Sequence, residues 1–423
     1  MLPVRVRDNV AKRHSHVFSA SIRRQAISVA VGDKFKSVGA CYGSDMTDGP
    51  LTGIRVLEFA SIGPGPFVGM MLSDMGATVL RVERKGAPDP APERFDARGR
   101  LTVELDLKEP QAVDVCLKLC ERAEVVFEGN RPGVMERLGL GPEIVLARNP
   151  RIVYGRMTGW GQSGPYAPYA GHDINYLSLS GALHAIGTED RPIPPLNLAA
   201  DYGGGAMMLV AGILAGIIHA HAGGKGQVID AAMTDGAAYL MSYFYGLHAA
   251  GSWVDRRRAN LLDGGAPFYD TYRCADATWI SIGALEPKFY NLLLEKTDSA
   301  DRLPQPQMNR TSWRDMRQTL QEVFATRTRQ EWCEILEHTD ACFAPVLSLE
   351  EASAHPHNRA RGTFVEVAGV VQPAPAPRFS ETPTRIQWPP APIVRDTRQA
   401  LKNWDISDDV LDEILGVRAE AGR

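Results

Sequence analysis

Ile54–Phe59 is a short apolar run. A Gly- and Pro-rich stretch follows at Ala60–Pro66, and then Phe67, Met70, Met71 and Met75 recur near helical spacing up to Gly76. The pattern predicts a buried strand, a loop and a helix that stops at the glycine. Thr78–Val82 returns to the strand pattern. The alternation continues with a strand at Thr102–Asp106, a helix at Pro110–Arg122, and strands at Val125–Glu128 and Ile152–Met157. Strands that alternate with helices specify a parallel sheet, because a parallel crossover needs a helix to return the chain. Asp201 is read as the cap of a helix reaching about Ala220, and Asp230–Leu247 as a further helix. The fold class expected is α/β, with a large Rossmann-like doubly wound domain.

The period changes after about residue 265. Phe268–Arg273 and Trp279–Gly283 alternate around a turn at Ala275–Asp276, which predicts a β-hairpin. Trp313, Met316, Leu320, Val323 and Phe324 lie on one helical face. Thr328 and Glu331 have the spacing of a capping box for the next helix. Ala341–Leu347 reads as a strand and the Pro-rich residues 370–393 as an extended return. The division expected is a disordered extension at 1–45, a large α/β domain at 46–230, a linker helix at 231–265, a smaller α+β domain at 266–366, and a return segment with a tail at 367–423.

With 423 residues the chain is long enough for two domains. A formal charge of −4 gives no footprint for nucleic acid. The six cysteines, at 41, 116, 120, 274, 333 and 342, lack CxxC spacing, which argues against a zinc site or a redox pair. The most apolar stretch, Ala206–Ile218, is too short to span a bilayer, so a buried helix and no membrane association are expected. Residues 1–45 are rich in Arg and Lys. They read as a disordered extension with a cytoplasmic protein behind it, or as an organellar import segment.

Gly63-Pro64-Gly65 with Gly69 sits where a dinucleotide-binding loop would stand. Its third glycine comes one residue late, and each proline removes a backbone donor. No GxxxxGK[ST] and no GxSxG is present, which sets aside P-loop and α/β-hydrolase chemistry.

Nine segments together carry a resemblance. They are LTGIRVLEFASIGPGPF (51–67), LSDMGATVLRVER (72–84), EGNRPGVMERLGLG (128–141), TGWGQSGPY (158–166), GHDINY (171–176), PPLNLAADYGGG (194–205), GKGQVIDAAMTDG (224–236), GGAPFYDTY (264–272) and GALEPKFY (283–290). Over residues 50–395 the chain resembles the CoA-transferase family III superfamily and, within it, the α-methylacyl-CoA racemase branch. The resemblance implies the family III fold, an interlocked homodimer, and a 2-methylacyl-CoA substrate whose (R) and (S) forms are interconverted.

Inverting a stereocentre next to a thioester requires a proton to leave one face and another to arrive on the opposite face. Two bases, one on each face, are the simplest arrangement, and each must work as acid and as base near neutral pH. His172 suits this, with an ordinary pKa near about 6.5. A carboxyl at about 3.9 must be raised by a dry environment before it can serve as the acid. The resemblance places the catalytic His at His172 and the catalytic Asp at Asp201. It also implies that Glu286, from the other subunit, orients the imidazole. Asn197 lies one helical turn before Asp201 and is expected in the same pocket. Backbone N–H groups at the start of the Asp201 helix are the expected donors to the enolate oxygen.

For the CoA moiety, the resemblance implies Arg84, Arg131 and Arg137 near the phosphates and adenine. Leu105, Asp106, Leu107 and Lys108 fall at the adenine edge, Glu128 and Gly129 beside the same groove, and Tyr176 close to the pantetheine path, with Gly171 and Asp173 also expected among the residues that bind CoA. Arginine suits such a site because it grips phosphate bidentately and stacks on purines. No metal and no separate cofactor is expected, since CoA is part of the substrate. The rival expectation is a family III CoA-transferase, whose aspartyl nucleophile aligns with Asp173.

Overall fold

The structure, a computed structural model, describes residues 49–394, 396–404 and 406–415. The expectation for residues 1–45 lies outside these.

Six parallel strands form the main sheet: β1 (Arg55–Phe59), β2 (Thr78–Glu83), β3 (Arg100–Glu104), β4 (Val125–Glu128), β5 (Val153–Thr158) and β6 (Val228–Ala232). Their order across the sheet is β3-β2-β1-β4-β5-β6. This is the doubly wound arrangement, with the strand order reversing between β1 and β4. The inner strands bury apolar side chains on both faces because both faces are covered. Leu57, Leu80, Val126 and Tyr154 join a core with the helix Pro110–Cys120, which also takes in Trp404 and Leu411 near the C-terminus. Val56, Val79, Val125 and Val153 face the other way, against the helices Gly65–Asp74 and Met208–His221.

β6 corrects the sequence reading. Asp230–Leu247 was expected to be one helix, but Val228–Ala232 pairs with β5 from Tyr154↔Val228 to Thr158↔Ala232. The helix starts only at Met233, and Ala231 and Ala232 carry no period that separates strand from helix. The Asp201 helix is also longer than expected. It begins at Leu198 with a π-helical segment to Met207 and continues as an α-helix to His221. Asp201 is therefore its fourth residue and not its cap. The joined helix has 24 residues, and its most apolar 18-residue window has a mean hydropathy of 1.7, so it is long and apolar enough to cross a membrane, contrary to the expectation from Ala206–Ile218 alone. Half of its apolar window is buried, and Leu209, Val210 and Ile213 pack in the sheet's core.

A second sheet is antiparallel, in the order β7 (Tyr269–Arg273), β8 (Trp279–Gly283), β9 (Phe343–Pro345). Its core joins Phe268, Tyr272 and Ile280 to Trp313, Met316, Leu320, Val323 and Phe324, the face read from the helical spacing. Thr328 and Glu331 form the expected capping box. A hairpin, β10 (Phe364–Val367) and β11 (Val370–Pro373), precedes the return segment. That segment closes on the edge of the main sheet, where Val394 bridges Val103 in parallel.

Candidate active site

Arg84 follows β2, residues 105–108 follow β3, and residues 129–137 follow β4, so these loops share the carboxyl edge of one parallel sheet. The loop Ala60–Pro64 leaves β1 on the same edge, beside the point where the strand order reverses. Ligands in open α/β sheets bind at that crevice, because neighbouring loops there diverge to opposite faces. The loops after β1 and β4 approach each other closely: a methyl on Gly129 would stand 2.9 Å from Ser61 Cβ.

His172 is exposed at the N-cap of the helix Asp173–Leu179, where its amide donates to Asn175 Oδ1 at 3.0 Å. Asp201 lies in the π-helical segment and is half-buried. A methyl on Gly63, in the loop after β1, would stand 4.0 Å from its Oδ2. The Asp201 carboxyl is raised above its ordinary range. Burial is the main cause, and the charge of Asp173 adds to it; the Asn197 amide and the imidazole of His172 oppose. Asn197 donates to Asp201 Oδ2 at 3.4 Å. The structure thus gathers His172, Asp173, Asn197 and Asp201 into one electrostatic neighbourhood and lifts the carboxyl in the direction an acid catalyst needs.

The amides of Ala200 and Asp201 both donate to Asp173 Oδ2, each at 2.9 Å. This corrects the expectation that the start of the Asp201 helix offers its N–H groups to a ligand. Asp173 itself is 5% exposed, and its Oδ1 finds no hydrogen-bond partner among the described residues.

Tyr176 is buried, and its hydroxyl is pushed up to about 12, by burial first and by the charges of Asp201 and Asp173 second. Its ring meets Trp160 edge-on, with centroids 4.8 Å apart. A methyl on Gly171 would stand 2.7 Å from the Trp160 ring and 2.8 Å from that of Tyr176. Gly171 is therefore wedged against both rings, and this fixes where His172 emerges. Trp160 carried no assigned role in the sequence. Among the described residues, neither its buried Nε1 nor the buried Oγ of Ser61 finds a hydrogen-bond partner. Trp160 stands in the segment 158–166 that carried part of the resemblance, between Gly159 and Gly161, but neither signal pointed to a role for its ring.

Among the residues expected at CoA, Arg84, Lys108, Arg131 and Arg137 are exposed on the carboxyl edge. Asp106 holds the turn after β3 by accepting from the Lys108 amide at 3.1 Å, between the buried Leu105 and the partly buried Leu107. Glu128 is fully buried. Its oxygens accept from Arg156 Nε at 3.0 Å and from the Asn130 amide at 2.5 Å, so its side chain shapes the loop after β4 and does not face a groove. Glu286 is exposed on the second sheet's side, at the N-cap of the helix Pro287–Lys296; burial first and the Glu286 charge second raise the Cys342 thiol.

A cavity of about 700 Å³ opens beside the loop after β1, lined in part by Ser61, Ile62, Arg81, Arg84, Arg94 and Arg100. A larger one, about 920 Å³, lies over the second sheet. There Arg258 and Arg317 are tied to Asp270 at 2.5 and 3.1 Å, and none of the expected acid–base residues lines it.

The profile of the family described as CoA-transferase family III matches residues 51–397. The chain is 48% identical over 336 residues to the alpha-methylacyl-CoA racemase of Mus musculus, covering 79% of this chain and 87% of that protein. It is 44% identical over 365 residues to the alpha-methylacyl-CoA racemase of Homo sapiens, covering 84% and 94%. The crystal structure of Rv3272 from M. tuberculosis superposes with a TM-score of 0.69 at 26% identity, covering 84% of this chain and 99% of that one.

Proposed function

The chain belongs to CoA-transferase family III, and on that premise we propose that it is an isomerase that interconverts the (R) and (S) forms of 2-methylacyl-CoA thioesters. The observation that carries this reading is the Asp201 carboxyl, raised by burial and within electrostatic reach of the His172 imidazole. One group removes the α-proton and the other returns a proton to the opposite face of the enolate. The roles exchange in the reverse direction, as microscopic reversibility requires. The reaction moves only protons, and CoA enters and leaves as part of the substrate.

The enolate oxygen needs donors, and the amides of Ala200 and Asp201 are already taken. The amide of Asp173, next in the chain to His172, is assigned this part. Arg84, Lys108, Arg131 and Arg137 hold the phosphates and adenine of CoA, since a cationic guanidinium or ammonium is what a diphosphate requires. A second copy of the chain, in an interlocked dimer, brings Glu286 to the imidazole of His172 and fixes its tautomer. The transferase alternative requires Asp173 as a solvent-facing nucleophile. Its burial and its two amide bonds favour the isomerase.

The test is incubation of one epimer of a 2-methylacyl-CoA in D₂O with no acceptor acid. Deuterium at the α-carbon together with a mixture of epimers is expected. Substrate that stays unlabelled until a second carboxylic acid is added would reject the reading.

A further inference from the structure

Asp173 is chained to one member of the His172/Asp201 pair and hydrogen-bonded to the backbone of the other. It follows His172 directly as the first residue of the helix Asp173–Leu179. Its Oδ2 accepts from the amides of Ala200 and Asp201, the third and fourth residues of the π-helical segment. Amides in the first turn of a helix have no partner within the helix. In this segment Tyr202 is the first to bond back, to the Asn197 carbonyl at 3.3 Å. A buried carboxylate at Ala200 and Asp201 therefore satisfies donors that would otherwise be stranded in an apolar setting.

We infer that Asp173 is a positioning residue that sets the spacing between the imidazole of His172 and the carboxyl of Asp201, one peptide bond from the first and one hydrogen bond from the second. The inference rests on the proposed isomerase reading and adds to it a role for the Asp173 carboxylate. Two bases can share one carbon only if both stay within reach of it from opposite sides, and misplacement by about 1 Å can cost about 100-fold in rate. The same geometry makes Asp173 a poor nucleophile. One oxygen is held by two donors, and the other is buried. Its negative charge also disfavours ionisation of Asp201, which helps keep that carboxyl available as an acid.

The variants Asp173→Asn and Asp173→Ala in the full chain separate this from a general structural role. Backbone hydrogen exchange over residues 197–207 reads the positioning directly and requires no knowledge of the substrate. Faster exchange there is expected in the Ala variant, while the Asn variant, which keeps an acceptor oxygen, stays near wild type. In the D₂O assay, kcat is expected to fall about 100-fold in the Ala variant. In the Asn variant it falls about tenfold, the worth of one weakened hydrogen bond. KM stays within about threefold in both, as expected when the loss falls on catalysis and not on uniform binding. In the direction where Asp201 takes the proton, the acid limb of kcat moves to lower pH in the Asn variant, because a like charge has gone. Unchanged exchange at 197–207 in the Ala variant would overturn the inference, as would an Asn variant with wild-type kcat and pH profile, or an acyl adduct trapped on Asp173. A wild-type chain that labels no α-carbon would reject the isomerase reading and leave the amide-exchange result to decide the positioning role.

Discussion

Gly204 and Gly236 meet backbone to backbone: a methyl on Gly204 would stand 2.6 Å from the Ala237 amide nitrogen, and one on Gly236 would run into the Gly204 carbonyl. Gly204 lies in the π-helical segment with Asp201, and Gly236 lies in the helix Met233–Leu240. No side chain fits between the two, so Gly236→Ala must push the segments apart. Overpacking of this kind costs about 1–3 kcal/mol. A lower melting temperature is expected, with a larger proportional loss of kcat, because the displaced segment carries Asp201. A Gly236→Ala variant that melts and turns over like wild type would contradict the contact.

The ionisation of Asp201 leaves a mark on stability as well as on rate. Burial and the nearby Asp173 raise its pKa in the folded chain above the unfolded value of about 3.9. The folded state therefore favours the neutral acid. That stabilisation is complete below the unfolded pKa and is lost as pH rises through the folded value. Asp201→Asn carries no charge at any pH. It is expected to abolish epimerisation yet to melt above wild type at pH 7–8, with the difference shrinking toward pH 4. Melting curves at both pH values check the sign, and a variant less stable at pH 8 than at pH 4 relative to wild type would refute it.

Away from the site, Arg98 and Asp74 form a buried pair, with Nη2 to Oδ2 at 2.6 Å and Nε to Oδ1 at 3.3 Å. Arg98 Nη1 also donates to Gln372 Oε1 at 2.7 Å, which fastens the β10–β11 hairpin to the edge of the main sheet. Removing one partner of such a pair strands the other charge and costs about 3–5 kcal/mol. Arg98→Ala and Asp74→Ala are each expected to lower the unfolding free energy by that amount, read from denaturant titrations as a lower midpoint. The double variant should lose clearly less than the two together, since each single change already breaks the pair. Strict additivity would show that the pair is not coupled.

Much of this architecture was legible in the sequence where a period dominated. The strands at Ile54–Phe59 and Val125–Glu128, and the helix face Trp313, Met316, Leu320, Val323 and Phe324, were read correctly because burial imposes their spacing. Val228–Ala232 was not, because an edge strand that runs into a helix through Ala231 and Ala232 shows neither period. The start of the Asp201 helix was missed because Gly203, Gly204 and Gly205 depress helix propensity. Gly204 is required by the neighbouring backbone of Gly236 and Ala237, while Gly203 and Gly205 stand close to the side chains of Leu240 and Met233. At the site, the contact between Asn197 and Asp201 was legible from their four-residue spacing. The bonds from Ala200 and Asp201 to Asp173 were not, since they span 27 and 28 residues and leave no local pattern.

The two-base arrangement gives each variant a distinct stereochemical signature. In Asp201→Ala, the remaining imidazole can remove the α-proton only from the epimer whose hydrogen points toward it. The enolate then takes deuterium back from the same face, so the substrate becomes labelled without inverting. In His172→Ala, the remaining carboxyl does the same for the opposite epimer. Epimerisation is expected to fall by about 10²–10⁴ in both variants, the usual worth of one positioned acid or base. Exchange should survive on one epimer in the first variant and on the other epimer in the second. Separating the epimers after incubation in D₂O and measuring α-deuterium in each reads this directly. If both variants exchange the same epimer, the two groups lie on one face of the carbon. In that case a single swinging base, and not His172 opposed to Asp201, would have to carry the proton across.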